Sequence, residues 1–307
     1  MMLAALLLAA AQPAPAPPQA APARPAAASP NMDAVQIRVE RVAPGVAILF
    51  GRGGNIGLSY GADGNAIIDD QYAPLTGRIL AAIREIDPDP IRFVINTHWH
   101  GDHTGGNENV ARTGAVIVAQ DNVRRRMSME QVVRGTAVPP SPAAALPVVT
   151  FTEGVTFHLN GDDIRVTHVA HAHTDGDALV YWTRANVLHM GDTFWSGLLP
   201  FIDLDSGGSI DGAIAAADTG LAIANDATVI VPGHGPVGRR PDLLAYRDML
   251  RSLRDQVARA MRAGRTLDQI KAMRLADRYG PPDGFITPDS LIETIHRSLS
   301  HPPADRR

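Results

Sequence analysis

Hydrophobic and polar positions follow two alternating periods along this chain. Short apolar runs rich in β-branched residues at 47–50, 67–69, 91–96 and 116–119 have strand length. Between and after them, 75–86 and 123–133 carry helical spacing. The second half repeats the scheme, with strand-like runs at 164–169, 178–182, 187–189 and 229–231 and helical patterns at 211–223 and 241–262. From Thr266 onward the chain reads as helical again, with a break at Tyr279-Gly280-Pro281-Pro282, as expected of an accessory cap or packing element. Strands that mix with helices in this way predict an α/β (α+β) domain in which two sheets stack face to face under helices.

Several of these strands end in chemistry. The run 91–96 stops at Thr97-His98-Trp99-His100-Gly101-Asp102-His103, four metal-capable side chains in six residues. Three imidazoles and a carboxylate this close would repel one another's protons and leave buried nitrogens to satisfy, so without an ion the loop has little structural purpose. In an extended segment residues i and i+2 point the same way, so His98 and His100 can grip one ion. Asp102 and His103 lie beyond the turn and can reach a second. Trp99, between two ligands, must point away and is expected to pack. A second loop, His171-Ala172-His173-Thr174-Asp175-Gly176-Asp177, separates two strands. Val187-Leu188-His189-Met190-Gly191-Asp192 delivers a carboxylate, and Val229-Ile230-Val231-Pro232-Gly233-His234-Gly235 presents one imidazole from a glycine-bracketed turn. Strand ends are where a rigid scaffold meets loops that can be shaped for chemistry.

Five motifs in order, Ala66-Ile67-Ile68-Asp69, Thr97 to His103, His173-Thr174, Gly191-Asp192 and Gly233-His234, make this sequence resemble the metallo-β-lactamase-fold hydrolase superfamily. The resemblance implies a four-layer αββα sandwich. It also implies that His98, His100 and His173 hold a first metal and that Asp102, His103 and His234 hold a second. Asp192 would bridge the two, and Asp69 would orient the ligand loop from behind. His173 precedes Thr174 as the family's ligand does, whereas His171 matches no motif position and is the fallback. His189 is read as packing near the site, and His158, His168, His296 and His301 as structural or surface residues.

A ligand set of imidazole and carboxylate suits zinc, iron or manganese. The resemblance favours two zinc ions. Such a pair shares a water as nucleophile, with Asp102 orienting it as the catalytic residue. No protein nucleophile is required, and the chain has no cysteine. The implied reaction is opening of a small carbonyl substrate, with β-lactam-like amides placed first and thioesters (glyoxalase II-like) or lactones as the alternative. Family members with a sulfur ligand carry cysteine where this chain has Asp192, and commonly lysine three residues on, where it has Trp195. The only lysine is Lys271, so a β-lactam carboxylate would need another donor. The aromatic stretch from Thr193 to Asp203 reads as a substrate-facing wall or as cover for the sheet. An iron-dependent, sulfur-oxidising member and a metal-binding protein without catalysis are the non-hydrolytic readings.

At the amino terminus, residues 1–11 form an apolar run too short for a bilayer, which needs about 20 residues, and shaped like a secretory signal without its positive start. Residues 12–30 are a Pro/Ala-rich linker, and 31–307 are expected to fold as one domain, with 266–307 as its helical extension. A periplasmic or secreted protein with no membrane insertion after cleavage follows. Net charge is −4 and the run Arg124-Arg125-Arg126 looks like one solvated helix face, so nucleic acid is not an expected partner and a small molecule is. Oligomeric state is not legible.

Overall fold

The computed structural model describes residues 31–302, so the signal-like run 1–11 and the whole linker 12–30 lie outside the described residues. The strands β1 (Arg38–Ala43), β2 (Val46–Phe50), β3 (Ile56–Ser59) and β4 (Asn65–Ile68) form an antiparallel meander. Next come β5 (Ile91–Ile95) and β6 (Val116–Gln120), which run parallel to β4 because helical segments separate them in the chain. A small hairpin, β7 (Gln131–Val133) with β8 (Thr136–Val138), stands outside the main sheets. The first sheet then closes with β9 (Val149–Phe151), giving the order β1-β2-β3-β4-β5-β6-β9. The second sheet holds β10 (Gly154–Leu159), β11 (Asp162–His168), β12 (Ala178–Trp182), β13 (Val187–His189) and β14 (Val229–Val231) in sequence order, with only the last pair parallel.

Alternation along the strands builds the layers. In β2, Val46 and Ile48 face the second sheet, while Ala47 and Leu49 face outward. Between the sheets, Ile68, Ile95 and Val118 meet Ile164, Val166, Val180, Trp182 and Val231. The outer face of the first sheet is covered by α1 (Thr76–Ile86), whose Ile79 and Ile83 are buried on Leu58, Ile67 and Val94. Three short helices follow: α2 (Gly101–Thr104), α3 (Asn107–Ala111) and α4 (Asp121–Met127). The outer face of the second sheet, Leu179, Leu188 and Ile230, is covered by α5 (Ile210–Ile223), α6 (Arg240–Arg262), a short α7 (Leu267–Lys271) and α8 (Pro288–Ser300). The result is the expected four-layer αββα sandwich. Among the described residues, no helix is long and apolar enough to cross a membrane.

Two local expectations change. The helix expected over 123–133 ends at Met127, and the chain turns back into β7 and β8, because Val132 and Val133 favour extended backbone and Gly135 permits a tight reversal. The arginine run is a solvated face only in part, since Arg124 and Arg125 are exposed and Arg126 is half-buried. Arg124 donates to the Pro147 carbonyl, and Arg125 and Arg126 pair with Asp175, the latter through Nε at 2.6 Å and Nη2 at 2.8 Å. The C-terminal extension is part of the domain, since Leu291, Ile292 and Ile295 pack into the cluster formed with α5 and α6.

Trp182 is fully buried at the meeting of the two sheets. Trp182→Ala is expected to lower unfolding free energy by about 3–5 kcal/mol in urea denaturation. A loss below about 1 kcal/mol would show that the sheets do not close on this side chain.

Candidate metal centre

Every ligand candidate sits where a strand ends at the same rim of the sandwich. β5 runs into the loop of His98 and His100 and then α2, which carries Asp102 and His103. The loop before β12 carries His173, the turn after β13 carries Asp192, and the turn after β14 carries His234. Ligand-type atoms of His98, His100 and His173 lie within 4.8 Å of one another, as do those of Asp102, His103 and His234. Asp192 stands between the groups: its Oδ1 is 3.1 Å from His103 Nε2 and 3.4 Å from His234 Nε2, and its Oδ2 is 3.6 Å from His173 Nε2.

Hydrogen-bond partners behind the rings decide which nitrogen faces inward. Thr97 Oγ1 donates to Asp69 Oδ2 at 2.8 Å, so it can accept from His98 Nδ1 at 3.1 Å, which leaves His98 Nε2 with a lone pair. His103 Nδ1 donates to Asp69 Oδ2 at 2.7 Å, and His173 Nδ1 donates to the Phe201 carbonyl at 2.7 Å. His100 is turned the other way, with Nε2 donating to Asp203 Oδ2 at 3.0 Å and Nδ1 only 2.8 Å from His173 Nε2. In the first group unprotonated nitrogens therefore converge, which is the state a metal requires.

Burial and charge separate the two groups. Burial, reinforced by neighbouring His103 and His173, holds the His98 pKa well below its ordinary value, and burial brings His173 down to about 4. Burial also works against protonation of His103 and His234, but Asp192 and Asp102 more than offset it, lifting His103 well up and His234 to about 9. Burial would raise Asp102, yet His103 and His234 bring it down to about 2. His98 and His173 of the first group are thus held neutral, and the second group is an ionic cluster with the side chains of Asp102 and His234 partly open to solvent.

The donor set fits two cations. His98 Nε2, His103 Nε2 and Asp192 Oδ1 are buried and have no hydrogen-bond partner of acceptable geometry, even though His103 and Asp192 approach so closely. Leaving such atoms unsatisfied costs about 1–3 kcal/mol each, a cost that two ions would remove, one taking the His98 lone pair, the other that of His103, with Asp192 between them.

Asp69, expected behind the ligand loop, accepts from Thr97 N at 2.8 Å as well as from Thr97 Oγ1 and His103. His171, with φ 53°, spends Nδ1 on the Gly207 carbonyl and joins neither group. His189 bonds the Asn55 carbonyl through Nε2 and accepts from Gly191 N through Nδ1, a packing role. Trp99 points away into Ala119, Val123 and Met127 and donates to Ser206 Oγ. Of the aromatic stretch, Phe194 is core, whereas Trp195 packs on the His234 ring at 4.4 Å and Phe201 stacks on His100 at 5.8 Å.

Sequence reasoning missed several supports. Asp203 orients His100, and is itself held by Ser206 Oγ at 2.6 Å. Asn55 Nδ2 donates to the Pro232 and Gly235 carbonyls, each at 2.9 Å, and so pins the turn that presents His234. A Cβ on Gly54 would land on the His103 ring, and one on Gly233 would land on Asp192 Oδ1, so both glycines allow the ligands to close in. Phe285, from the C-terminal extension, stacks on Trp195 at 6.1 Å. The Gly233-His234-Gly235 bracket was a visible signal for close approach; the others had none.

Comparison with known proteins agrees with this geometry. The family model described as the metallo-beta-lactamase superfamily matches residues 49–255. A hydroxyacylglutathione hydrolase of Anaeromyxobacter dehalogenans (strain 2CP-C) is 31% identical over 138 residues, 44% of this chain and 45% of that protein. One from Erythrobacter litoralis (strain HTCC2594) is 41% identical over 44 residues, 14% of this chain and 18% of that protein. The chain thus spans less than half the length of these curated relatives. Among solved structures, a metallo-beta-lactamase from Pontibacter korlensis superposes with a TM-score of 0.58 at 21% identity, covering 70% of this chain and 99% of that one. The sec-alkylsulfatase Pisa1 from Pseudomonas sp. gives 0.63 at 19% identity, covering 85% and 50%. Fold, ligand order and family model together place this chain in the metallo-beta-lactamase superfamily.

Proposed function

We propose that the protein is a two-metal hydrolase that opens a small acyl substrate, with thioesters and lactones ahead of β-lactam-like cyclic amides. Its ions are zinc by preference, with iron or manganese able to occupy the same donors. The observation that carries the reading is the position of Asp192, a carboxylate reaching both groups of ligands, with orphaned donor atoms on either side. The order of substrates differs from the one the sequence alone suggests, for two reasons. The residue three positions after Asp192 is a wall and not a cation: Trp195 donates through Nε1 to the Asp192 carbonyl at 2.9 Å and lays its ring on His234. The curated relatives, moreover, are named hydroxyacylglutathione hydrolases. The signal-like residues 1–11 support a periplasmic or secreted enzyme.

Two divalent ions in this centre supply Lewis acidity and an acidified water, the pKa of which falls from 15.7 toward about 7. The chain's own residues supply the rest. His98, His100 and His173, fixed from behind by Thr97, Asp203 and the Phe201 carbonyl, hold one half of the centre rigid. Asp102, ionised and on the open side, is placed to orient the attacking water. Trp195 and Phe201 wall the site with apolar surface and exclude competing water from the acyl group.

Asp192→Ala is expected to reduce bound metal toward one ion per chain by elemental analysis and to abolish most turnover. Two ions retained would remove the bridging assignment. His171→Ala should leave metal content unchanged; loss of the first ion would show that the ligand is His171 and not His173. Asp203→Asn, which frees the back of His100, should weaken metal affinity by about 10–100-fold in a competitive chelator titration. Substrate class is read by giving the zinc-loaded protein a hydroxyacyl thioester of glutathione and a chromogenic cephalosporin, each with a chelator control. Chelator-sensitive cleavage of the thioester supports the reading, faster cephalosporin cleavage reverses the order, and failure on both with two ions bound overturns the acyl-substrate assignment.

A further inference from the structure

Beside the metal centre stands a cation with no ionic partner. β7 and β8 are joined by the two-residue turn Arg134-Gly135, with Val133 facing Thr136 in register. Both turn residues have positive φ, 51° for Arg134 and 77° for Gly135, as a type I′ hairpin requires. Asn, Asp or Gly is favoured at the first of these positions, and a long side chain there carries conformational strain. The side chain compensates through aromatic faces and not through carboxylates. The Arg134 guanidinium lies 4.6 Å over Phe285 and 5.9 Å from the Phe201 ring centre. Phe201 in turn stacks on His100 at 5.8 Å and meets His173 edge-on at 5.5 Å. One aromatic ring thus separates the cation from the first group of ligands.

The turn is also anchored to that group. Arg126 grips Asp175, two residues beyond His173, and with Nη1 donates to Gln131 Oε1 at 2.9 Å, at the first residue of the hairpin. Hairpin and ligand loop are therefore held by one guanidinium, which accounts for its burial. Between the hairpin and α8 runs a groove of about 250 Å³, lined by Arg134, Phe201, Ile286 and Arg297 among others. Its three acids are all engaged elsewhere: Asp203 with His100, Asp205 with Arg297 at 3.7 Å, and Glu293 with Lys271 at 2.7 Å. Among the described residues Arg134 makes only its aromatic contacts, so all five N–H donors remain available.

We propose that Arg134 and this groove form the subsite for a carboxylate that the substrate carries away from its scissile carbonyl. The proposal rests on the acyl-hydrolase reading only for where the reacting bond lies. Arginine is suited to the task, because its planar fork can bind a carboxylate in bidentate fashion while its face stays on the aromatic rings. The chain has no lysine that could substitute, since Lys271 is already paired with Glu293. Arg134 is thus a specificity-determining residue that selects acyl compounds with an anionic tail.

The test measures binding as well as turnover. Zinc-loaded full-length protein is titrated calorimetrically with 3-phenylpropanoate and with its neutral amide, in wild type, Arg134→Asn and Arg134→Lys. Asparagine suits the positive-φ turn, so that variant removes the cation while keeping the hairpin. The expected result is a preference for the carboxylate that falls about tenfold in Arg134→Asn and is partly retained in Arg134→Lys. A preference that survives in Arg134→Asn would assign the carboxylate to the metal ions and overturn the proposal, as would equal binding of the two probes by wild type. In parallel, Arg134→Asn should raise KM for a carboxylate-bearing thioester by about tenfold with kcat unchanged, and leave an uncharged thioester unaffected. If no thioester is cleaved while the Arg134-dependent preference persists, the acyl-hydrolase reading fails and the anion subsite stands.

Discussion

The site depends on one buried carboxylate that touches no substrate. Asp69 closes β4 with φ 63°, a conformation that turns its side chain beneath the loop following the neighbouring strand β5. There it accepts from Thr97 N, Thr97 Oγ1 and His103 Nδ1, all within 2.8 Å. Those bonds set the backbone of the ligand loop, the tautomer of His103 and, through Thr97, that of His98. An ion binds well only to unprotonated nitrogens already aimed at it, so the order in this layer is what converts a His-rich loop into a centre. Positive φ at an aspartate is strained, and three donors on a fully buried carboxylate hold it in place.

Support of the same kind recurs around the rim with different chemistry. Asp203 fixes His100, the Phe201 carbonyl fixes His173, and the two Asn55 contacts fix the turn of His234. Asp203 is itself the end of a chain of hydrogen bonds that begins at Trp99 Nε1 and passes through Ser206 Oγ. Trp99 therefore does more than fill space: its outward-facing indole helps lock the histidine that follows it.

What the sequence revealed of this molecule follows from locality. Strand alternation and the five motifs are each contained in a few residues, so the sandwich and the gathering of His98, His100, Asp102, His103, His173, Asp192 and His234 around Asp69 were legible. The choice of His173 over His171 was legible too, because neighbouring residues distinguish them. The supports were not legible: Asn55 and Asp203 lie 177 and 103 residues from partners that they hold, and nothing in their own surroundings marks them. The hairpin at 131–138 was hidden for a different reason. Apolar positions in 123–133 satisfy a helical period, and only the pairing of Val133 with Thr136 across a glycine turn reveals extended backbone. Phe285 belongs to a segment that looked accessory, yet it completes the aromatic rim.

The two halves of the centre differ in the charge that they can balance. Asp102 gives the second group a carboxylate that the first lacks, so an ion held by His98, His100 and His173 would share only Asp192 and be the less compensated of the two. Electron density developing on a carbonyl oxygen is therefore best stabilised on the side of His98, His100 and His173. Phe201 lies on that side, and beyond it lies Arg134. A metal ion in the first group and the Arg134 guanidinium would thus be two cations with the Phe201 ring between them. A substrate with its carbonyl at one end, an apolar middle and an anion at the other end matches this profile in order as well as in sign. The protein presents this profile through three separate parts of the chain: the ligand loops, the hairpin after α4, and the C-terminal extension that supplies Phe285.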